Sequence, residues 1–320
     1  MPRGIVKPYT DWKKATYAFD STYIDVDCSA LVSAGATMVQ VYLGSTGNPT
    51  VGIRKNGSTQ DILFDLNASQ YGIAWVALDA NRIFELKSDE AIGNVYIISE
   101  TDADVTGLDP WVEQTPTTGS WQQVNSASVP DNAVGVFVMR INKNVTFARQ
   151  IAVRHGDSTD ARQANWDIPD KCGTASLVGQ NASGEFGAYR EDADADIYVT
   201  GYLSSDATGH TEKVNATDIS QATTGAFTDL DLTANTSGTA DYAIIELTNT
   251  SAAANGLLRE NGGVQNLTQK QIAANDTRVI CVGMDGGQGI EYFIGNVSVD
   301  FYLRSYGGIE PSFVPKAVMY

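Results

Sequence analysis

The chain has 320 residues, 42% of them hydrophobic, and a formal net charge of −17 at a sequence pI near 4.4. That charge repels polyanions and argues against binding nucleic acid, since the densest basic cluster is only Lys13-Lys14. No apolar run approaches the length of a membrane span, so membrane insertion is not expected.

In chain order the signals are short strands separated by Gly, Asn, Asp, Ser and Thr, with little helical periodicity. YIDVD (23–27) comes first. TMVQVYL (37–43) then alternates, with Val39, Val41 and Leu43 on one face and Met38, Gln40 and Tyr42 on the other. VGIR returns antiparallel, and Asn56-Gly57 marks a tight turn because both residues tolerate positive φ. IAWVALD, RIFELK and NVYIIS complete the set. WQQVN, AVGVFVMRI, TFARQIAVR, TASLVG, GEFGAYR and DIYVTGYL repeat the plan. FTDLDL, DYAIIELT, GLLRE, TRVICVG, IEYFIG and VSVDFYLR repeat it again.

The repeat is most visible in VGIRKNGST (51–59), IAVRHGDST (151–159) and GLLRENGGV (256–264). Their arginines Arg54, Arg154 and Arg259 stand 100 and 105 residues apart, and Tyr96, Tyr198 and Tyr302 follow them by 42, 44 and 43 residues. Such a period predicts an all-β chain of three tandem antiparallel β-sandwich modules, jelly-roll or Ig-like, of about 100 residues each. The expected domains are 1–106 with an N-terminal arm, 107–205, and 206–320 with a C-terminal tail. Regular alternation predicts one packed and one wet face per sheet. Phe84, Phe186 and Tyr292 are expected to be equivalent core positions, as are Val76, Val178 and Val282. The polar stretches 101–119 and 204–225 read as linkers.

Candidate sites are few. Three equivalent arginines suit a carboxylate ligand gripped once per module. They equally suit a structural pairing across the sheet, with Glu100, Asp196 and Asp300 as the nearby carboxylates. EDADAD (191–196) has the spacing of a calcium loop but lacks the Gly and distal Glu of an EF-hand. GMDGGQG (283–289) precedes a strand and reads as a hairpin turn, not a phosphate cradle. Cys28, Cys172 and Cys281 form no disulfide pattern and read as reduced, buried thiols. With two histidines and no nucleophile, zinc or nucleotide motif, no catalytic, metal or cofactor residue is singled out. Trp12, Trp111 and Phe313 are candidate docking residues, on the arm, in a linker and in the apolar tail, the two tryptophans for a module–module or a subunit contact.

RKNGST (54–59), its echo RHGDST (154–159) and the acidic Gly/Ser/Thr/Asn-rich style resemble the repeated β-sandwich modules of tailed-bacteriophage virion structural proteins. RENGGV departs by losing the Ser-Thr pair. The resemblance implies a non-enzymatic structural or adhesive virion component, made in the host cytoplasm without a signal peptide. It would act as a multimeric modular spacer that binds other virion proteins and copies of itself. A host-surface glycan is a further partner to consider. The alternatives are a carbohydrate-binding receptor-recognition protein and a sandwich-fold glycosidase or lyase.

Overall fold

The computed structural model describes residues 6–17, 20–161, 167–168, 171–205, 207, 209–222, 224–264, 271–272, 274 and 276–308. In the first module β1 (Val6–Lys14), β8 (Ile92–Thr101), β3 (Met38–Ser45) and β6 (Tyr71–Ala77) form one sheet in that order. The second sheet runs β2 (Ile24–Asp27), β7 (Ile83–Ser88), β4 (Thr50–Lys55), β5 (Leu63–Asp65). The next module repeats the order as β9 (Val105–Gln114), β16 (Ala195–Leu203), β11 (Gly135–Asn142), β14 (Gly173–Gly179) and as β10 (Gln122–Val124), β15 (Phe186–Arg190), β12 (Arg149–Arg154), β13 (Asp167–Ile168). The third gives β17 (His210–Asp218), β24 (Val299–Gly307), β19 (Tyr242–Asn249), β22 (Asp276–Gly283) and β18 (Thr228–Asp231), β23 (Gly289–Ile294), β20 (Ala254–Glu260), β21 (Gln271–Ile272). Two four-stranded antiparallel sheets in the orders 1-8-3-6 and 2-7-4-5 are a jelly roll, and the chain contains it three times.

Register fixes which residues are equivalent. Val39 pairs Val76, Val136 pairs Val178 and Ala243 pairs Val282, so the three valines correspond. Each sixth strand ends in a turn headed by Asp79, Asn181 or Asp285, whose side chain accepts the amides two and four residues on. The fourth turn residue has positive φ in every copy: Arg82 at 66°, Gly184 at 72° and Gln288 at 61°. Counting from that turn, Phe84 and Phe186 correspond to Ile290, not to Tyr292 as the sequence pattern implies. The slip is one alternation period, so Tyr292 still points into the core.

The amide of Gly289 holds the Asp285 carboxyl below the ordinary carboxylate range; Asn261 and Gly287 add to this, against the opposing effect of burial. A depressed folded-state pKa means the contribution is complete above the unfolded pKa of about 4 and lost as pH falls through the folded value. Asp285→Asn keeps the acceptor, as Asn181 does, and removes the titration. The variant should be less stable than the parent at neutral pH, and the gap should close during acid titration. Thermal melts along a pH series check this; a gap that is the same at both ends refutes it.

The expected wet face is missing from the larger sheets. β3, β11, β19 and the edge strands β6, β14, β22 are buried along their whole length. The reason is that the modules pack on one another. The three sixth strands meet at the centre of the molecule. The first module's core is continuous with Phe137, Met139 and Leu177 of the second and Ile244 and Cys281 of the third. The third module's core takes in Trp12, Tyr42, Tyr71 and Ile73 of the first. This arrangement replaces the expected string of spacers. The two supposed linkers also contain β9 and β17, the first strands of their modules, and the described part of the N-terminal arm is β1.

Strand edges are managed in two ways. The long sixth-strand edges face the centre. The short second strands of the first and third modules stay exposed but carry Asp25, Asp27, Asp229 and Asp231, which resist edge-to-edge pairing with another copy.

Candidate functional site at the module junctions

The repeated arginine sits at the end of the fourth strand in each module. Arg54 lies opposite Glu85 in the register of β4 and β7, and its Nε pairs with that carboxylate. Its guanidinium lies over Tyr23 at 3.6 Å, and Nη1 donates to Gln60 O at 2.9 Å. Arg259 repeats the arrangement, with Glu291 at 2.7 Å and Phe227 at 3.8 Å. Arg154 stacks on Trp121 at 4.0 Å and donates to Asp160 O, but Gly187 stands where the other copies have glutamate. Cation–π stacking and a cross-strand pair thus fix the arginine so that it shapes the turn that follows. The nearby carboxylates named from sequence go elsewhere. Glu100 accepts from Tyr9 and from Ser33 N, and Asp196 pairs with Lys143.

That turn docks on the next module. Ser58 donates to Asp109 on β9, and Trp111 N donates to Gln60 Oε1 at 2.7 Å. Ser158 donates to Asn215 Oδ1 on β17 at 2.8 Å, and Thr159 N reaches the same oxygen at 3.2 Å. The third turn closes the circle: Thr10 on β1 donates to Glu260 at 2.6 Å, and Val264 N to Asp11 at 3.4 Å. In each case the receiving first strand breaks its pairing register, between Pro8 and Lys13, between Gly107 and Val112, and between Glu212 and Thr217. A bulge there turns side chains outward to meet the incoming turn. Module one holds two, two holds three, and three holds one. This is a closed heterologous ring within one polypeptide.

Beneath this shared contact, the three junctions differ. Between modules one and two, Trp75 packs on Phe137 with ring centroids 4.8 Å apart. Between one and three, Gln40 accepts from Cys281 N at 3.1 Å and donates to Val279 O at 3.2 Å, satisfying edge groups of β22. Tyr71 there stacks on Tyr42 at 5.1 Å and donates to Gly256 O at 3.2 Å. Between two and three an ion pair internal to the third module reaches across. Arg304 pairs with Glu246 at 2.7 Å and donates to Val153 O at 2.9 Å, all out of solvent. Arg140, on the inward face of β11, donates to Ile151 O and Ser176, and burial pushes its pKa down to about 10 against the attraction of Glu246.

Two of the three docking candidates lie inside the molecule. Trp12 lies in the third module's core and Trp111 in the first module's, both under 9% exposed, so each anchors a module–module contact. Phe313 lies outside the described residues.

His210, Tyr242 and the three cysteines are closed off. His210 bridges Tyr242 Oη and Glu212 Oε1 at 2.7 Å each, but the His210 side chain and Tyr242 are both out of solvent. Burial raises the Tyr242 phenol well above its ordinary range. Burial likewise pushes the Cys28 thiol up to about 12 and raises that of Cys281, which makes both inert. EDADAD forms the turn between β15 and β16, where Asp192 accepts from Asp194 N and pairs with Arg149.

Glu246, Arg304, Arg140 and Gln40 were not singled out from sequence. Their signal is a single polar residue inside an otherwise apolar strand, as in IIEL, YLRS, VMRI and MVQV.

No family model matches the chain, and no curated protein matches it. Among solved structures, a chain from the atomic structure of Sulfolobus Turreted Icosahedral Virus aligns over 96% of this chain and 92% of its own, at 11% identity and a TM-score of 0.21. A chain from an archaeal virus described by a triple jelly roll fold and turret assembly aligns over 95% and 91%, at 10% identity and a TM-score of 0.23. Scores that low do not bear on architecture or role; the jelly-roll assignment rests on strand order alone.

Proposed function

We propose that this chain is a structural component of a virus particle, a single polypeptide that closes three jelly rolls into a ring and contacts neighbouring subunits through its outer loops. One observation carries the reading: an eight-stranded topology is copied three times and closed head to tail within one chain, the way a heterologous interface closes a ring of subunits. Jelly rolls form viral shells but also lectins and cupins, so the step from fold to role is an analogy. Burial of Tyr242, of the His210 side chain and of the three cysteines suits action by contact. The acidic, Gly/Ser/Thr/Asn-rich turns favour a tailed bacteriophage as the particle. Exposed Val145 and Phe147, on the loop after β11, are suited to meet another virion subunit or a second copy.

Light scattering and electron microscopy of the purified protein, with mass spectrometry of particles from a producing culture, test the proposal. Peptides of this chain in the particle fraction, and oligomers or lattices at high concentration, are the expected result. A monomer of 34.2 kDa that never associates, together with its absence from particles, refutes the proposal.

A further inference from the structure

The ring brings three equivalent positions together at each junction. They are the residue after the repeated arginine (Lys55, His155, Glu260), the end of the sixth strand (Ala77, Gly179, Gly283), and a first-strand residue of the next module (Gly107, Glu212, Pro8). Between modules two and three, His155 and Glu212 fill the space over Gly179. Between three and one, Glu260 and Pro8 fill the space over Gly283, and Thr10 holds the Glu260 carboxylate. Between one and two, small Ala77 and Gly107 meet, and a cleft of about 450 Å³ stands open beside them.

That volume lies in the range of small-ligand sites, roughly 300–1,000 Å³. The cleft is cationic although the chain carries −17. Lys55 and Arg82 line it, and among the described residues Lys55 makes no ion pair. The one carboxylate in the lining, Asp79, already accepts from Asn56, Asn81 N and Ile83 N. Arg82 donates to Ser29 O at 2.8 Å and takes a left-handed backbone where the second module uses Gly184. Thr106 is exposed beside it and adds a hydroxyl.

We infer that this cleft binds a small monoanionic ligand of sugar-acid size, its carboxylate held by Lys55 in the field of Arg82. A monoanion suits the site because the surrounding acidic surface repels ligands of higher charge. The site is complete in one chain, so its test does not depend on assembly into a particle.

Amide spectra of the full chain titrated with glucuronate and with N-acetylneuraminate test the inference, with glucose and inorganic phosphate as controls. Saturable shifts at Lys55, Thr106 and Gly107 with one acid or both are expected, and which acid binds identifies the ligand type. Lys55→Ala should weaken binding about tenfold. Arg82→Gly, whose backbone conformation the second module shows the turn to accept, should weaken it about threefold, with a melting curve confirming that the variant is folded. Glucose should bind far more weakly than the acid. No saturable shift with either acid, shifts that survive Lys55→Ala, or glucose or phosphate binding as well as the acids would each overturn the proposal.

Discussion

Replacing Glu246 with alanine should cost about 3–5 kcal/mol, because it leaves the Arg304 guanidinium buried without its counter-charge. The pair is shut between modules two and three, with Arg304 also spanning to Val153 O of the second module. Arg140, Arg278 and Asp276 act on the same space, so three guanidiniums face two carboxylates, and losing one carboxylate worsens an existing excess. Exchanging both partners for apolar residues, Glu246→Leu with Arg304→Met, removes the desolvation penalty along with the attraction. That double variant should recover most of the loss, short of the bond to Val153 worth about 1 kcal/mol. Urea denaturation followed by tryptophan fluorescence measures both. A Glu246→Ala loss under about 1 kcal/mol would mean that water reaches the pair, and the junction would then be looser than the geometry states.

The triplication and the strands were legible because a jelly-roll strand writes its own alternation into the chain. Arg54, Arg154 and Arg259 announced one blueprint, and register confirms that they correspond. What alternation does not say is what covers the outer face. Gln40 and Tyr42 alternate with Val39 and Val41, and one of the two faces is expected to be wet, yet both faces are buried because another module covers the outer one. Strands β9 and β17 look like linkers in the sequence for a related reason. Each bulges where a turn docks, and the bulge resets the period-two pattern on which recognition depends. The partners of the arginines are not the carboxylates near the last strand. Glu85 and Glu291 lie instead one strand over, on the alternating faces of RIFELK and IEYFIG.

Truncating Trp75 to alanine should also cost about 3–5 kcal/mol, and here the manner of unfolding is as informative as the size. In an isolated module Trp75 would lie on the outer face of the larger sheet, in register with Gln40 and open to water. In the ring it is 2% exposed and packed on Phe137 of the second module. A loss of that size can therefore come only from the junction. Combined with Phe137→Leu, it should show a coupling of about 0.5–1.5 kcal/mol, the value of an aromatic pair beyond its buried area. Combined with Phe186→Leu, whose side chain lies in the second module's separate interior, the effects should add. Because the modules share a core, Trp75→Ala should shift one cooperative transition of the whole chain. A variant that loses the first module early while the others melt as before would show three independent sandwiches. The docking turns would then be surface contacts, too weak to make one body of the chain.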